Sequence, residues 1–590
     1  MDRQSKVRAA VKPLLRTTLF CLLCAAAAVR AFDVTTVGIN NTRQGWNQFE
    51  TALLPTNVPH LKKIREFAVD EKVDVTPLVI GSKLYVFTMA ATAYIFDVNS
   101  GMQLVAPRQL GLPFDPRSNP GQMDMWGVYH SWGISSTPVI DSATGTLYVT
   151  TFGRPNNTSP NTERNNTLWI LDADTLADKA PPVMIAGNAD NGGGDISNGF
   201  TTPYQKMRAG LGLLADAEGN KAVIVCFSMN GESPRGPGHG FVVAYDVRGL
   251  NHTAGFEPIP AIWNTTPGGG AGGIWMAGSG PAIDGDDIYL ATGNGMDPGT
   301  TAGNFAESFV KLRYSAGSAQ DNRGKPRLQV TDYWGAFSDF NRQDGDQDLG
   351  SAGVLIIPRR GNLIGGGKDG ILYNLNKDDL GKNSWAPHFN LPFVATYLPN
   401  PPNGGAGLPA NTTADPNWPI INQDRNLPMN TPTGKSVHIH GTPVYLEGTT
   451  GGIIFVWGEN ERLKAYNYDF ATRRISSFRA QGREFASGIG PKGGMPGGRL
   501  VVSSNGTTAR TAIVWGVYPV QGDANTAVVH GALVAYDATK NNNGALTELF
   551  HSDTNPANSL GNFAKFATPV VANGKVFVAT FSNTVVEYGL

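Results

Sequence analysis

Two histidines, His438 and His440, stand either side of a single isoleucine. Alternate side chains of an extended chain share a face, so both imidazoles would point the same way. Imidazole nitrogens ligate transition metals, but a site needs further donors that the local sequence does not supply. The run Asp344-Gly345-Asp346-Gln347-Asp348 opens like a calcium-binding EF-hand loop. It departs from that pattern, because the turn glycine falls at loop position 7 instead of 6 and Leu355 stands where position 12 needs a bidentate glutamate. Cys226 lies within the apolar run Val223-Ile224-Val225-Cys226-Phe227. Apolar burial raises a thiol pKa, so Cys226 reads as a core thiol and not a nucleophile. The chain carries no Gly-x-Ser-x-Gly elbow, no His-Glu-x-x-His pair and no Walker loop.

Whatever chemistry these residues do, other elements must position them, and composition limits what those elements are. Of 590 residues, 41% are hydrophobic, enough for a large core. The 47 basic and 48 acidic residues leave a net charge of −1, so the basic excess expected for nucleic acid or an anionic membrane surface is missing. With 72 glycines, 39 prolines and only 16% charged residues, the chain leans towards many strands and many turns. Arg3, Lys6, Arg8, Lys12 and Arg16 precede an apolar stretch from Leu19 to Val29, which ends in Val29-Arg30-Ala31. This is the pattern of a secretory signal over residues 1–31, cut after Ala31. The apolar stretch is too short for a membrane span, which takes about 20 residues. The expected product is secreted (extracellular or periplasmic), starts at Phe32, has no membrane span and forms one domain over 32–590. Cys21 and Cys24 leave with the signal, so Cys226 has no partner for a disulfide. Sequons at Asn40, Asn156, Asn157, Asn165, Asn251, Asn264, Asn411 and Asn505 are glycan acceptors if the host is eukaryotic.

A repeat runs through the mature chain. An apolar strand ending in a turn occurs as Ala93-Tyr94-Ile95-Phe96-Asp97, Leu168-Trp169-Ile170-Leu171-Asp172, Val243-Ala244-Tyr245-Asp246 and Phe309-Val310-Lys311-Leu312. It returns as Leu372-Tyr373-Asn374-Leu375-Asn376, Leu463-Lys464-Ala465-Tyr466-Asn467, Leu533-Val534-Ala535-Tyr536-Asp537 and Val585-Val586-Glu587-Tyr588. The seven intervals between Asp97 and Tyr588 average about 70 residues. A second motif, Thr-Pro followed by an apolar stretch, precedes many copies, as at Thr76-Pro77, Thr137-Pro138 and Thr568-Pro569. Four-stranded units of this kind cannot bury both faces alone, and stacking them in a ring removes exposed edges. The expected fold is all-β, an eight-bladed β-propeller of four-stranded antiparallel blades, with a long Pro-, Asn- and Gly-rich insertion near residues 383–432. Closure should set Phe32–Ile39 or Phe67–Val73 beside Val576–Tyr588.

Several segments in order along the chain resemble the quinoprotein alcohol dehydrogenase-like propellers (PQQ-like repeats), in a secreted branch. They are Asn41-Thr42-Arg43-Gln44-Gly45-Trp46-Asn47, Gly272-Gly273-Ile274-Trp275, Ala291-Thr292-Gly293-Asn294-Gly295, Gly366-Gly367-Lys368-Asp369-Gly370 and Ala572-Asn573-Gly574-Lys575-Val576. The resemblance implies bound pyrroloquinoline quinone (PQQ) and calcium. It implies that Trp275 stacks under the quinone, Glu232 and Asn294 ligate calcium together with Asp348, Asp348 takes the alcohol proton, and Lys368 contacts the quinone oxygens. Gln347 stands before Asp348 where the family usually has tryptophan. The region that carries an adjacent cysteine pair in many bacterial members is His130-Ser131-Trp132-Gly133-Ile134-Ser135-Ser136, where Trp132 could supply the second stacking face. No Cys-x-x-Cys-His haem site is present, so electrons would leave to an external acceptor.

Each residue also has a plainer reading: Asn294 and Lys368 as turn residues, Glu232 as a loop acid, Asp348 as a strand brace and Trp275 as core. Three functions therefore stay open. The first is a PQQ- and calcium-dependent dehydrogenase acting on an alcohol or sugar hydroxyl. The second is a non-catalytic secreted propeller that binds a glycan or protein. The third is an enzyme using the same pocket without a quinone.

Overall fold

The computed structural model describes residues 32–118, 128–154, 165–193, 205–229, 238–295, 303–317, 325–335, 348–368, 370, 372–381, 438–486 and 495–590. The expected signal segment 1–31, the expected insertion 383–432 and Glu232 lie outside the described residues. All eight sequence repeats are strands: Thr92–Asp97, Asn165–Asp172, Phe241–Asp246, Ser308–Ser315, Leu372–Asn376, Arg462–Asp469, His530–Asn542 and Thr584–Gly589. Their β-branched and aromatic residues suit a pleated surface buried on both faces. The aspartate that ends several of them makes the turn. Asp97 Oδ1 accepts the N–H groups of Asn99 and Ser100, and Asp172 and Asp537 do the same for the residues after them.

The unit is clearest at residues 282–335, where Ala282–Asp284, Asp287–Ala291, Ser308–Ser315 and Arg327–Gly335 pair antiparallel in chain order. Further sheets begin with Leu78–Ile80, Val354–Ile357 and other short strands that follow the Thr-Pro motif or its equivalents. The largest sheet has ten strands, but it is two such runs, Val444–Glu447 to Arg474–Phe485 and Arg499–Ser503 to Ala545–His551, with the two-residue strands Trp46–Asn47 and Gly561–Asn562 added to the second. One parallel bridge, Gln481 to Ala545, joins them. Among the described residues the sole α-helix is the four-residue Val247–Leu250, and no helix is long and apolar enough to cross a membrane. The described residues belong to one compact unit, Ala31–Leu590.

The last sheet is closed by an early strand. Lys62–Ala68 pairs antiparallel with Thr584–Gly589, with Phe67 opposite Val585. The closure therefore uses a strand a few residues ahead of Phe67–Val73, and Phe32–Ile39 does something else. Residues 34–47 pass from sheet to sheet and bond the first strand of each. Val34 exchanges two backbone bonds with Val79, and Thr35 O accepts from Ile140 N–H. Asn41 donates from its side chain to Leu213 O and accepts at its carbonyl from Ile283 N–H. Thr42, Gln44 and Gly45 carbonyls accept from Ile356, Tyr445 and Val502, and Asn47 donates to Val571 O. First strands are sheet edges, and their unpaired groups need a cover; this collar is that cover. Gly45 has φ +66°, and a Cβ there would collide with Val444, so only glycine lets the collar run this close.

Arg43 is the collar's centre and has no solvent exposure. Its guanidinium donates to Val37 O at 2.6 Å, Pro281 O and Leu211 O at 3.0 Å, and Thr36 Oγ1 at 2.6 Å. Burial pulls its pKa down to about 9.

Candidate functional site

Each first strand is preceded by a short segment, and these segments carry the chemistry. Asp74 stands ahead of Leu78–Ile80, and Trp132 ahead of Val139–Asp141. Lys206 and Arg208 precede Gly212–Ala215, and Trp275 precedes Ala282–Asp284. Asp348 precedes Val354–Ile357, and His438 and His440 precede Val444–Glu447. Arg499 opens its own strand, and Lys565 and Phe566 precede Val570–Ala572. The repeat thus brings residues far apart in sequence to one place.

Asp348 is buried and held on both carboxylate oxygens. Oδ1 accepts the Asn294 backbone N–H at 2.9 Å, and Lys368 Nζ lies 2.6 Å from Oδ2. The Lys368 N–H also donates to Asp348 O at 2.9 Å, so the two backbones are tied as well as the side chains. A Cβ on Gly293 would collide with Asp348 Oδ1 and stand 3.0 Å from Trp275 Cδ1. Glycine at 293 is what allows the carboxylate and the indole to come together. The Trp275 segment is pinned from both sides, since Gly293 N–H donates to Gly273 O and Met276 N–H donates to Gly350 O. Glu307 joins this group: its N–H donates to Gly293 O, and its Oε2 accepts from Leu349 N–H at 3.0 Å.

Beside it lies a cluster of buried cations, Lys206, Arg208, Arg499 and Lys565. Lys206 Nζ stands 5.4 Å from the Trp275 ring centre and 6.0 Å from that of Trp132. The Arg208 guanidinium is 5.2 Å and 5.8 Å from the same two rings. Phe566 is surrounded by Arg208, Lys565 and Arg499 at 4.9, 5.0 and 5.3 Å. Aromatic faces favour cations and ease the crowding of like charge. Arg499 is fully buried, donates to the carbonyls of Lys565, Ala277 and His440, and is pulled by burial to about 9. Asp74 answers part of this charge. Burial raises its pKa, while Lys565, the Tyr129 hydroxyl and the Phe566 N–H pull the other way. Burial also holds the two imidazoles neutral, His438 at about 4 and His440 well below the usual range. Lys368 adds to both effects, and Ile439, between the histidines, donates its N–H to the carbonyl of Gly367, the residue before Lys368, at 3.0 Å.

The structure therefore brings together Trp275, Asn294, Asp348 and Lys368. It places Trp132, fully buried, 6.0 Å from Lys206 and 5.8 Å from Arg208, and edge-on to Tyr129 at 5.0 Å. Cys226 is a buried core thiol, pushed up to about 12 by burial. Lys206, Arg208, Glu307, Glu459, Arg499 and Lys565 were not read from the sequence. A partial signal exists: Asp74, His440 and Phe566 each stand two places before the threonine of a Thr-Pro pair.

No family model matches the chain, and no curated protein matches it. Among solved structures, the quinohemoprotein alcohol dehydrogenase from Comamonas testosteroni is similar at a TM-score of 0.51 and 12% identity, over 94% of this chain and 80% of that one. A europium-containing methanol dehydrogenase is similar at a TM-score of 0.51 and 12% identity, over 95% of this chain and 98% of that one. What this chain shares with the two dehydrogenases is their fold, the β-propeller of the quinoprotein alcohol dehydrogenases.

Proposed function

We propose that this protein is a secreted oxidoreductase that oxidises an alcohol or sugar hydroxyl with bound PQQ and calcium, on a ring of eight blades. The carrying observation is the buried Asp348, held by Lys368 at 2.6 Å and the Asn294 N–H at 2.9 Å, beside Trp275. The residues present fit the cofactors. PQQ is a planar tricarboxylate, and Lys206, Arg208, Arg499 and Lys565 offer it cations among aromatic faces. Calcium takes oxygen ligands, and Asn294, Glu307 and Asp348 offer them in one hydrogen-bonded group. Eight blades are supported by the eight repeat strands and the eight first strands that residues 34–47 touch in turn.

Held by the cations near Trp275 and by the oxygens of Asn294, Glu307 and Asp348, the quinone would supply a hydride acceptor and the calcium ion a Lewis acid. The rest is done by the chain. Asp348 receives the substrate hydroxyl proton as general base. Lys368 orients that carboxylate and stabilises oxygen that gains negative charge. Burial of Asp348 keeps bulk water from competing for the proton. Glu232 is proposed as a further calcium ligand and Trp132 as a wall of the cofactor chamber.

The experiment is reconstitution of the purified protein with PQQ and calcium, followed by reduction of an artificial electron acceptor with a panel of alcohols and sugars. Asp348→Asn should lower kcat by at least about 100-fold and leave the PQQ absorbance of the reconstituted protein in place. A chain that takes up no PQQ sinks the proposal. A second reading, a non-catalytic protein that binds a polyanionic glycan, is favoured by one observation: Lys206 and Arg208 already stand against the indole faces of Trp132 and Trp275.

A further inference from the structure

We propose that His438, His440 and Glu459 form a binding site for one divalent transition-metal ion of the zinc type. The ligating atoms of the three side chains all lie within 4.8 Å of one another. His440 Nε2 stands 2.9 Å from Glu459 Oε1, and His438 Nδ1 stands 3.5 Å from Oε2. Two ligands each about 2.1 Å from a tetrahedral zinc ion are roughly 3.4 Å apart. The three donors are thus close to the spacing an ion requires, and small side-chain rotations complete it.

The backbone fixes this arrangement. Glu459 N–H donates to His438 O at 2.9 Å, so the two ligand-bearing segments are bonded to each other. Ile439, between the histidines, donates to Gly367 O at 3.0 Å and accepts from Ser351 Oγ at 2.8 Å. Arg499 donates to His440 O at 2.7 Å. The histidine segment is therefore held on three sides before any ion arrives, which lowers the ordering entropy that binding must overcome. His440 and Glu459 are 3% and 4% exposed, whereas His438 is 24% exposed and gives an ion a way in from solvent.

The donor chemistry separates this centre from the oxygen group at Asp348. Two imidazole nitrogens and one carboxylate select zinc or ferrous iron over calcium, which prefers oxygen throughout. Three protein ligands leave a coordination position for water or another small ligand. A hydrogen-bonded His–Glu network without an ion is the competing account, and the two differ in metal content.

The test uses the purified, untagged full chain, stripped with a chelator and titrated with cobalt(II) chloride. The expected result is one cobalt ion per chain with ligand-field absorption in the visible range, displaced by zinc. Glu459→Gln, His440→Asn and His438→Gln should each weaken cobalt binding by about 10-fold or more, the lower bound set by loss of even an outer-shell partner. Circular dichroism checks that each variant folds. Because His438 is the most exposed of the three, His438→Gln decides the matter if the buried variants do not fold. No cobalt retained by the stripped wild type, or equal binding by wild type and every folded variant, overturns the proposal. The readout is metal content, so it is independent of whether the chain binds PQQ or oxidises anything.

Discussion

At the scale of single residues, burial does most of the electrostatic work. Arg208 lies against Trp132, Trp275 and Phe566, so its charge is shared among three aromatic faces. If this charge receives a carboxylate of the cofactor, Arg208→Gln should weaken PQQ binding by roughly 10-fold or more, the loss of about 1.4 kcal/mol or more. Titration of bound absorbance reads this directly, and unchanged affinity would remove Arg208 from the site. His239 gives a second, separate expectation. It is buried, its ring shares a hydrogen bond with Thr266 Oγ1 at 3.1 Å, and burial lowers its pKa below the usual 6.5. Between its folded and unfolded pKa values the unfolded chain binds more protons, so stability is full above pH 6.5 and declines as pH falls. His239→Gln should flatten the fall in melting temperature on acidification below pH 6.5. A variant with the same slope as the wild type would place the acid sensitivity elsewhere.

At the scale of elements, the short first strands raise the question of what holds them. Leu78–Ile80, Ala282–Asp284 and Val570–Ala572 are three residues each, and a strand that short makes few ladder bonds of its own. Their outer edges are satisfied by residues 34–47, and Arg43 ties that segment down through three carbonyls and a hydroxyl. Arg43→Met keeps most of the volume but leaves these acceptors buried without their donor. Each such group costs about 1–3 kcal/mol, so a loss of about 3 kcal/mol or more is expected in denaturant unfolding. A loss below about 1 kcal/mol would mean that water replaces the guanidinium. The turn aspartates are expected to matter less. Asp172→Ala removes an acceptor for Asp174 and Thr175 N–H at a turn open to solvent, where about 0.5–1.5 kcal/mol is the usual range.

At the scale of the whole molecule, accessibility decides which sequons can carry a glycan. Asn264 is fully buried, and its side chain bonds Thr266 N–H and Gly192 O, whereas Asn251 and Asn505 are exposed. Expression in a eukaryotic host should place glycans on Asn251 and Asn505 and none on Asn264, as read by glycopeptide mass spectrometry. The fold was legible because one pattern recurs: each copy from Ala93-Tyr94-Ile95 to Val585-Val586 is a strand, and Thr-Pro marks the strands that begin several sheets. The site was legible only in part. Trp275, Asn294, Asp348 and Lys368 stand in Gly-rich segments that mark themselves in the sequence. Lys206, Arg499 and Glu459 are ordinary charged residues there, and only the fold brings Lys206 to Trp275, Arg499 to Phe566 and Glu459 to the two histidines. Glu459 is the clearest case, since it supplies what the His438 and His440 pair lacked from 19 residues further on.

Residues 34–47 also bear on how the molecule comes apart. Linear repeat proteins lose their units one at a time, because each repeat contacts only its neighbours. Here a single stretch of chain is bonded to the first strand of sheet after sheet, from Val79 to Val571, while Phe32 N–H reaches Asn573 Oδ1 at 2.9 Å. No sheet can leave without breaking a bond to the stretch that holds all the others. Unfolding should therefore be one concerted event, a single calorimetric peak in a chain long enough to show several. Removing residues 32–47 should split or broaden that peak. In synthesis the order runs backwards: residues 32–47 are satisfied only when the sheet that holds Val571 and Thr584–Gly589 is complete, so the nascent protein carries its fastening unfastened until that sheet is made.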